Sequence, residues 1–500
     1  MPSSEATPER LRTRVVRGLK WGAAAQVALQ ISRIVVAVCL ARLLAPHDYG
    51  VAAMVLVFSS LVLVFSDLGL GAALVQRKEI DEDDRSTAWW TSVGAGLCFT
   101  LIGIAMAGPL ARFYGEPDVR ELCMAFSLAF LITSFGTTQE SLLVREMRFK
   151  QLELRMMAAT AAGAVVGITV ALGHHGAWAI IAQLLTEALV SSILLWAASP
   201  WRPSFRYSRA SLRSLWGFSG WLVGNRLLFY AHRNVDNILI GRFVGAAALG
   251  AYSVAYNVML VPFSRIAGPI QRVLWPAFAE MQDDAERICR NWIRVTRILA
   301  AIAAPALAGL VIVAPDFVHV VLGDRWAAAA PLVQALAWVG ILQAVQVLNV
   351  DILQARDRTA LVFRYMLLFT LVHLCAFVIG VQWGVLGVAI AYAISSTLVE
   401  PVLTVLTARE LGTSPWRFFR SLAGVAQATA IMAAGVLACR TLLVGADVGP
   451  APRLFACIAV GAVIYALAAA WRVPELLDEL RGLVAGRRRR VGRRLPAEAI

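Results

Sequence analysis

Charged residues are scarce in this sequence. Only 16% of its 500 residues are Asp, Glu, Lys or Arg, whereas 59% are hydrophobic, and soluble domains carry about 25% charged residues. This shortage argues against an ordinary soluble globular protein. The apolar residues form long runs, and a run of about 20 residues is enough to span a bilayer as a helix. The composition therefore predicts an all-α, polytopic membrane protein.

Catalytic and metal-binding motifs are also missing. The seven cysteines show no CxxC and no Cys/His spacing, so they are interpreted as small hydrophobic residues and not as a metal site or a disulfide framework. The sequence contains no P-loop, which excludes a self-contained ATP-driven pump, and no nucleophile elbow. We expect no catalytic residues, no cofactor and no metal, and predict that the protein is not an enzyme.

Fourteen segments are apolar enough, over a sufficient length, to be predicted membrane spans. They are 20–43, 51–75, 88–110, 121–140, 157–174, 177–198, 214–240, 247–270, 292–314, 329–352, 361–381, 385–406, 420–440 and 453–471. The seventh, 214–240, is the least apolar of them. Because the predicted external loops are very short, we expect the function to reside in the helical bundle or at its faces.

The basic residues are distributed unevenly among the loops. With a cytoplasmic N-terminus, the cytoplasmic segments hold 35 of the 46 Lys and Arg residues and the opposite loops hold 7. Cytoplasmic loops of membrane proteins are enriched in Lys and Arg, so both termini are predicted to be cytoplasmic. The C-terminal tail contains RRRRVGRR (487–494). We expect the basic tails to bind anionic membrane lipid, and we predict no nucleic-acid partner.

Residues 21–60 resemble residues 221–260 at a constant offset. The identical pairs are Trp21/Trp221, Arg33/Arg233, Val35/Val235, Arg42/Arg242 and Gly50/Gly250. Six predicted spans separate the copies, so both have the same orientation, as in a parallel repeat about an axis along the membrane normal. The prediction is two pseudo-symmetric six-helix lobes plus two C-terminal helices. The predicted segments are an N-tail (1–19), an N-lobe (20–198), a cytoplasmic linker (199–213), a C-lobe (214–409), two further helices (410–471) and a basic tail (472–500).

Several charged residues lie inside the predicted spans, where each costs roughly 2.5–3.5 kcal/mol at a helix centre on insertion scales. Such groups normally face a bundle interior or a wet cavity. Arg226, Arg233 and Asn237 share one helical stripe, and Asp236 can pair with Arg233. Arginine binds phosphate through two parallel hydrogen bonds. A cationic cavity for an anionic or phosphate-bearing substrate is therefore predicted, with Arg33, Arg226, Arg233 and Arg265 as its members.

Local sequence predicts two bent helices near these charges. Asp67 lies beside two glycines in FSDLGLG (65–71), and Arg265 lies in a segment where prolines recur every seven residues, at 262, 269 and 276. Proline removes helical hydrogen bonds and bends a helix. The alternative to a cavity is that the arginines only pair with acidic residues of neighbouring spans and hold the helices together.

Three stretches resemble bacterial polysaccharide flippases of the multidrug/oligosaccharidyl-lipid/polysaccharide exporter superfamily. They are ARLLAPHDYGVAAM (41–54), SDLGLGAALVQRKEI (66–80) and RNVDNILIGRFVGAAALGAYSVAYNVMLVPFSRIAGPIQRVLWPAFAEMQ (233–282). The resemblance is strongest to the Wzx-type branch of lipopolysaccharide and colanic-acid exporters. It implies a multi-pass protein of the bacterial inner membrane. Such a protein translocates an undecaprenyl-diphosphate-linked oligosaccharide by alternating access, driven by a proton or sodium gradient.

The resemblance also suggests roles for individual residues and partners. Cationic cavity residues are expected to meet the diphosphate or an acidic sugar, and the four intramembrane arginines are the matching positions. Asp67, Asp236 and Asn237 are candidates for gating or cation coupling. The expected partners are the lipid-linked oligosaccharide and a glycan polymerase or export complex.

Two other functions remain open at this point. A multidrug–cation antiporter of the same superfamily would prefer an acidic or aromatic cavity for its drug cation, and the arginine stripe argues against it. A membrane glycosyltransferase or polysaccharide polymerase should carry a sizeable external loop with catalytic residues. No predicted loop is long enough for that role.

Overall fold

The structure, a computed structural model, describes residues 29–66, 70–77, 79–216, 220–262 and 268–474. Within these ranges the chain is helical, with short turns between helices and no strand. Helices satisfy their backbone hydrogen bonds internally, which the interior of a membrane requires because it offers no water. The predicted all-α fold is confirmed.

The chain divides into two compact units, Met1–Ser253 and Val254–Ile500. The helices of the first unit are α1 (29–43), α2 (Pro46–Ser66), α3 (Leu70–Gln76), α4 (Glu82–Tyr114), α5 (Asp118–Arg145), α6 (Phe149–Leu172), α7 (Trp178–Ala198), α8 (Arg209–Trp216), α9 (Gly220–Phe243) and the start of α10 (Ala246–Pro262). The division falls inside α10. The lobe boundaries drawn from the sequence stay a prediction.

The second unit begins within α10, and its described residues are also helical. Its other helices are α11 (Gly268–Glu280), α12 (Ala285–Phe317), α13 (Ala329–Gln346), α14 (Asn349–Ala355), α15 (Thr359–Gly380), α16 (Gly384–Glu410), α17 (Pro415–Gly445) and α18 (Pro450–Arg472). Short π and 3-10 turns connect α12 to α13 and α15 to α16.

Paired local features show that the order of elements repeats. Helices α4 and α12 are each 33 residues long and begin after an aspartate, Asp81 or Asp284, whose side chain accepts a hydrogen bond from a backbone amide of the first turn. The turn before α6 holds Met147 at φ 54°, and the turn before α15 holds Asp357 at φ 57°. These pairs fit the internal repeat, which stays a prediction from the sequence.

Apolar helices of spanning length dominate the described chain. Within the described residues, nine helical stretches are long and apolar enough to cross a membrane, and one of them, Thr359–Glu410, contains both α15 and α16. Each of the fourteen predicted spans overlaps a helix. The protein is a multi-pass membrane protein, whereas the count of fourteen and the cytoplasmic termini stay predictions.

The described residues stop at corresponding places in the two halves of the sequence. In the first repeat α2 ends at Ser66 and α3 begins at Leu70, and in the second α10 ends at Pro262 and α11 begins at Gly268. These ends fall beside the glycine-rich and proline-rich segments for which the sequence predicts bends. The residues between the helices, Asp67 and Arg265 among them, lie outside the described residues.

The linker after α7 is bound to the start of α4. The Trp201 indole donates a hydrogen bond to the Glu82 carboxylate at 3.0 Å, and the Trp90 indole donates to the Ser204 carbonyl at 2.9 Å. The Phe205 side chain stays 96% exposed. Two tryptophan hydrogen bonds thus fix the path of the linker while its aromatic tip stays accessible.

The last two helices are attached to α12 through a shared carboxylate. Asp316 is 2% exposed and accepts hydrogen bonds from Nε of Arg440 on α17, at 2.7 Å, and from Nε of Arg453 on α18, at 2.8 Å. A buried charge is costly unless it is paired and hydrogen-bonded. The Asp316 carboxylate therefore joins three helices at one point.

Replacing Asp316 with Asn should destabilise the second unit, because two partly buried guanidinium groups would lose their counter-charge. Breaking a buried ion pair from one side costs roughly 3 kcal/mol or more, so the thermal midpoint of the detergent-solubilised protein should fall clearly. Glu286→Gln is the matched control, since its carboxylate is 82% exposed and pairs with Arg290 along one helix. An equal midpoint for wild type and Asp316→Asn would show that the shared carboxylate does not hold α17 and α18.

The topology prediction can be tested at two exposed positions, starting from a variant with the exposed Cys98 and Cys375 replaced by Ala. Phe205→Cys should react with a membrane-impermeant maleimide only in inverted membrane vesicles. His175→Cys, in the exposed turn before α7, should react only in intact spheroplasts. Labelling with the opposite sidedness would overturn the predicted orientation.

Candidate functional site

The candidate site lies where α9 meets α10. Helix α9 carries arginine, asparagine and aspartate residues within the short run RNVDN (233–237). Its backbone amides and carbonyls are paired along the helix, so the side chains alone must find partners elsewhere. At 3.6 residues per turn, residues 233, 236 and 237 lie on one side of the helix.

Asp236 is the buried centre of the site. Asp236 is 3% exposed and Tyr252 is fully buried. The Tyr252 hydroxyl donates a hydrogen bond to Oδ2 of Asp236 at 2.8 Å. The backbone amide of Asn237 donates to Oδ1 at 2.8 Å. Both carboxylate oxygens therefore have a donor, and the hydrogen bond from Tyr252 fixes α10 to α9.

Arg233 lies one turn before Asp236 and is half-buried. Its guanidinium interacts electrostatically with the Asp236 carboxylate. The proximity of these residues, predicted from their spacing, is confirmed. The charge of Arg233 is thus partly balanced within the protein, as the helix-pairing alternative also expects, and its role in binding substrate stays a prediction.

A second polar contact fixes α9 to α2. The Tyr230 hydroxyl donates to the backbone carbonyl of Val57 at 2.8 Å, and the Asn234 side-chain amide donates to the Tyr230 carbonyl at 2.9 Å. Sequence analysis did not single out Tyr230 or Tyr252. The available signal was general: a tyrosine in an apolar span needs a hydrogen-bond partner for its hydroxyl.

The other predicted site residues are only partly located. Arg33 is exposed on α1, and Asn237 is half-buried on α9 and uses its backbone amide to bind Asp236. Arg226 belongs to α9, but its side chain lies outside the described part of the structure, as do Asp67 and Arg265 entirely. Whether the four arginines share one cavity therefore stays a prediction.

The buried polar site belongs to only one copy of the repeat. Positions 36 and 52, which correspond to Asp236 and Tyr252 at the constant offset, are Val36 and Ala52. Neither side chain can form an ion pair or donate a hydrogen bond. The two halves therefore share a backbone pattern and differ in chemistry.

Two further polar side chains, one buried and one half-buried, have structural partners. The ring nitrogens of His373 contact the Phe369 carbonyl at 2.7 Å and the Ser396 hydroxyl at 3.1 Å, so this histidine has a partner on each side of its ring. Glu187 accepts a hydrogen bond from the Gln183 amide at 3.1 Å. Within the described residues, no cluster of His, Cys, Asp and Glu side chains could hold a metal ion.

Comparison with known proteins places this arrangement in a family. The sequence profile of the family described as "Polysaccharide biosynthesis protein" matches residues 39–331. The chain is 31% identical over 402 residues to the lipopolysaccharide biosynthesis protein WzxC of Escherichia coli (strain K12), covering 79% of this chain and 80% of that protein. It is 28% identical to the teichuronic acid biosynthesis protein TuaB of Bacillus subtilis (strain 168), covering 77% and 80%.

Solved structures are similar in fold. The inward closed conformation of the lipid II flippase MurJ superposes with a TM-score of 0.73 at 13% identity and covers 91% of this chain and 99% of that one. An inward-facing multidrug transporter of the MATE family superposes with a TM-score of 0.60 at 15% identity, covering 77% and 94%. At these identities the likeness concerns the fold alone.

The profile match includes the whole candidate site. Arg233, Asp236 and Tyr252 all lie within residues 39–331, and that range is more than half of the chain. The likeness to WzxC extends over a still larger share of the sequence. On both grounds, the chain belongs to the family of polysaccharide biosynthesis proteins.

Proposed function

We propose that this protein is a flippase that moves a lipid-linked oligosaccharide, the precursor of a polysaccharide, across the bacterial inner membrane. The observation that carries the proposal is the buried Arg233–Asp236–Tyr252 site within the membrane helices of a polysaccharide biosynthesis protein. A buried charged site in a membrane helix is costly, and such sites are usually functional. The connections between the described helices are short, so the function of this multi-pass chain must lie among its membrane helices, and transport is the function that suits this location.

The names of similar proteins support this substrate class. WzxC and TuaB are named for the biosynthesis of lipopolysaccharide and teichuronic acid, and MurJ is named as a flippase of lipid II. Lipopolysaccharide, teichuronic acid and lipid II each combine a saccharide with an anionic group or a lipid. We extend the shared chemistry to this chain and leave the identity of its glycan undefined.

The geometry around Arg233 suits reversible binding of a phosphate. If Arg233 turns to a substrate diphosphate, the Asp236 carboxylate keeps the hydrogen bonds from the Tyr252 hydroxyl and the Asn237 amide. The carboxylate is then not left unpaired, which limits the cost of the exchange. The substrate in turn gains a bidentate, charge-assisted contact.

The remaining predicted site residues extend this arrangement. Arg33, Arg226 and Arg265 are proposed to share the binding of the anionic headgroup, and Asp67, Asp236 and Asn237 to take part in gating or cation coupling. Alternating access around a midplane site fits a chain with two parallel repeats. The basic tails are proposed to contact anionic lipid, and a glycan polymerase or export complex to receive the product.

The second candidate function is multidrug–cation antiport. It is favoured by the fold similarity to a MATE transporter. A drug cation would meet Arg233 with like charge, whereas a diphosphate would meet it with opposite charge. The site chemistry therefore favours the anionic, lipid-linked substrate.

Export in a bacterial strain that lacks its own flippase tests the proposal. Wild type should restore surface polysaccharide, and the Arg226→Ala/Arg233→Ala variant should lower export by about a hundredfold, since each hydrogen-bonded contact to a charge contributes roughly 1.5–3 kcal/mol. Arg290→Ala, which removes an exposed arginine of α12 that pairs within its own helix, is the control and should export normally.

The outcomes separate the two functions. Normal export by the double variant beside a functional wild type would contradict the cationic site. Failure of wild type in several strains with different glycans, together with resistance to cationic drugs, would favour the antiporter.

A further inference from the structure

Helices α2 and α10 touch through their backbones at two glycines. A Cβ atom placed on Gly50 would lie 1.7 Å from the carbonyl oxygen of Ala246, and one placed on Gly250 would lie 1.8 Å from the carbonyl oxygen of Pro46. A Cβ on Gly250 would also lie 2.9 Å from the backbone nitrogen of Gly50. These separations leave room for a hydrogen atom and for no side chain.

The contact is reciprocal because it follows the internal repeat. Gly50 and Gly250 occupy equivalent positions at the offset of 200 residues, and so do Pro46 and Ala246. Each glycine faces the carbonyl four residues before its counterpart. The contact, here called the glycine crossing, therefore has pseudo-two-fold symmetry between α2 and α10, the second helices of the two repeats.

Gly50 and Gly250 both lie inside helices, where glycine is destabilising. Glycine inside a helix costs roughly 1 kcal/mol relative to alanine, so its presence at both positions calls for a packing reason. The close approach supplies one. It also points each glycine hydrogen at a carbonyl oxygen, and such Cα–H···O contacts are worth about 0.5–1 kcal/mol each. Contacts this weak can open and close.

The glycine crossing is buried and lies close to the candidate site. The neighbouring Val51, Ala52, Leu249 and Ala251 are between 0% and 3% exposed. Tyr252, which binds Asp236, is two residues from Gly250 on α10. A displacement of α10 at the crossing would therefore move the donor that holds the Asp236 carboxylate.

We propose that the glycine crossing is the external gate of the translocation path and that its closure requires a hydrogen atom at both Gly50 and Gly250. The inference rests on the proposed function. It also uses the predicted topology, in which the turns before α2 and α10 are external. A side chain at either glycine would hold the helices apart and keep the gate from closing.

Four single alanine variants of the full-length protein test the contact itself. Gly50→Ala and Gly250→Ala add a Cβ at the crossing, whereas Gly94→Ala and Gly108→Ala add one on α4, where nothing lies within 4 Å. In purified protein, either crossing variant should raise amide hydrogen exchange in both segments, 50–56 and 250–256. The α4 variants should leave both segments unchanged. Unchanged exchange in the two crossing variants would overturn the proposal.

Export by the same variants tests the gate. Each crossing variant should lower export about tenfold or more at wild-type abundance, and the double variant should lower it little further, because one Cβ already separates the helices. Normal export by variants with raised hydrogen exchange would show that the glycine crossing is a packing contact without a role in transport, and would overturn its assignment as a gate. Failure of wild type to export would concern the proposed function, and the exchange result would still decide the contact.

If neither crossing variant accumulates in the membrane, amide hydrogen exchange of the wild-type protein tests the proposed gate instead. A gate that opens must expose 50–56 and 250–256 faster than the buried helix α13, which includes Leu332, Leu336 and Val339 at no more than 1% exposure. Exchange in the two segments as slow as in α13 would overturn the proposal.

Discussion

A polar side chain inside a membrane is costly unless it finds a partner within the protein, and this constraint shapes the described structure. Asp236 has two donors and a nearby guanidinium, His373 has a partner at each ring nitrogen, and Asp316 holds two arginines. Away from water, a polar group without a hydrogen-bond partner destabilises the protein by more than a formed hydrogen bond stabilises it. The positions of these partners therefore decide which helices lie together, and α9 is held to α2 and α10 through tyrosine hydroxyls.

The two repeats use the same backbone for different purposes. The glycine crossing needs the same residue in both copies, because the contact is made by backbone alone and any Cβ would break its symmetry. The site needs the opposite, and only the second copy has Asp236 and Tyr252 where the first has Val36 and Ala52.

Some of this could be predicted from the sequence, for physical reasons. Long apolar runs in a chain poor in charge can only be helices in lipid, and the spacing of Arg233 and Asp236 along one helix already implied that their charges interact. Tyr252 was not predicted because its contact joins different helices. The glycine pair was visible as an identity in the repeat, but its meaning depends on distances to carbonyl oxygens. The contacts of Arg440 and Arg453 with Asp316 were not predicted, because they join helices far apart in the sequence.

The most direct test of the account is translocation in proteoliposomes that contain only the purified protein and an undecaprenyl-diphosphate-linked oligosaccharide carrying a fluorescent sugar label. The label in the outer leaflet would be quenched or cleaved enzymatically, with and without an imposed proton or sodium gradient. We predict that label in the inner leaflet becomes accessible in wild-type vesicles at least tenfold faster than in empty ones, and that Arg226→Ala/Arg233→Ala removes the difference. Equal rates in wild-type and empty vesicles, for lipid-linked oligosaccharides of both neutral and acidic sugars and under either gradient, would contradict the account.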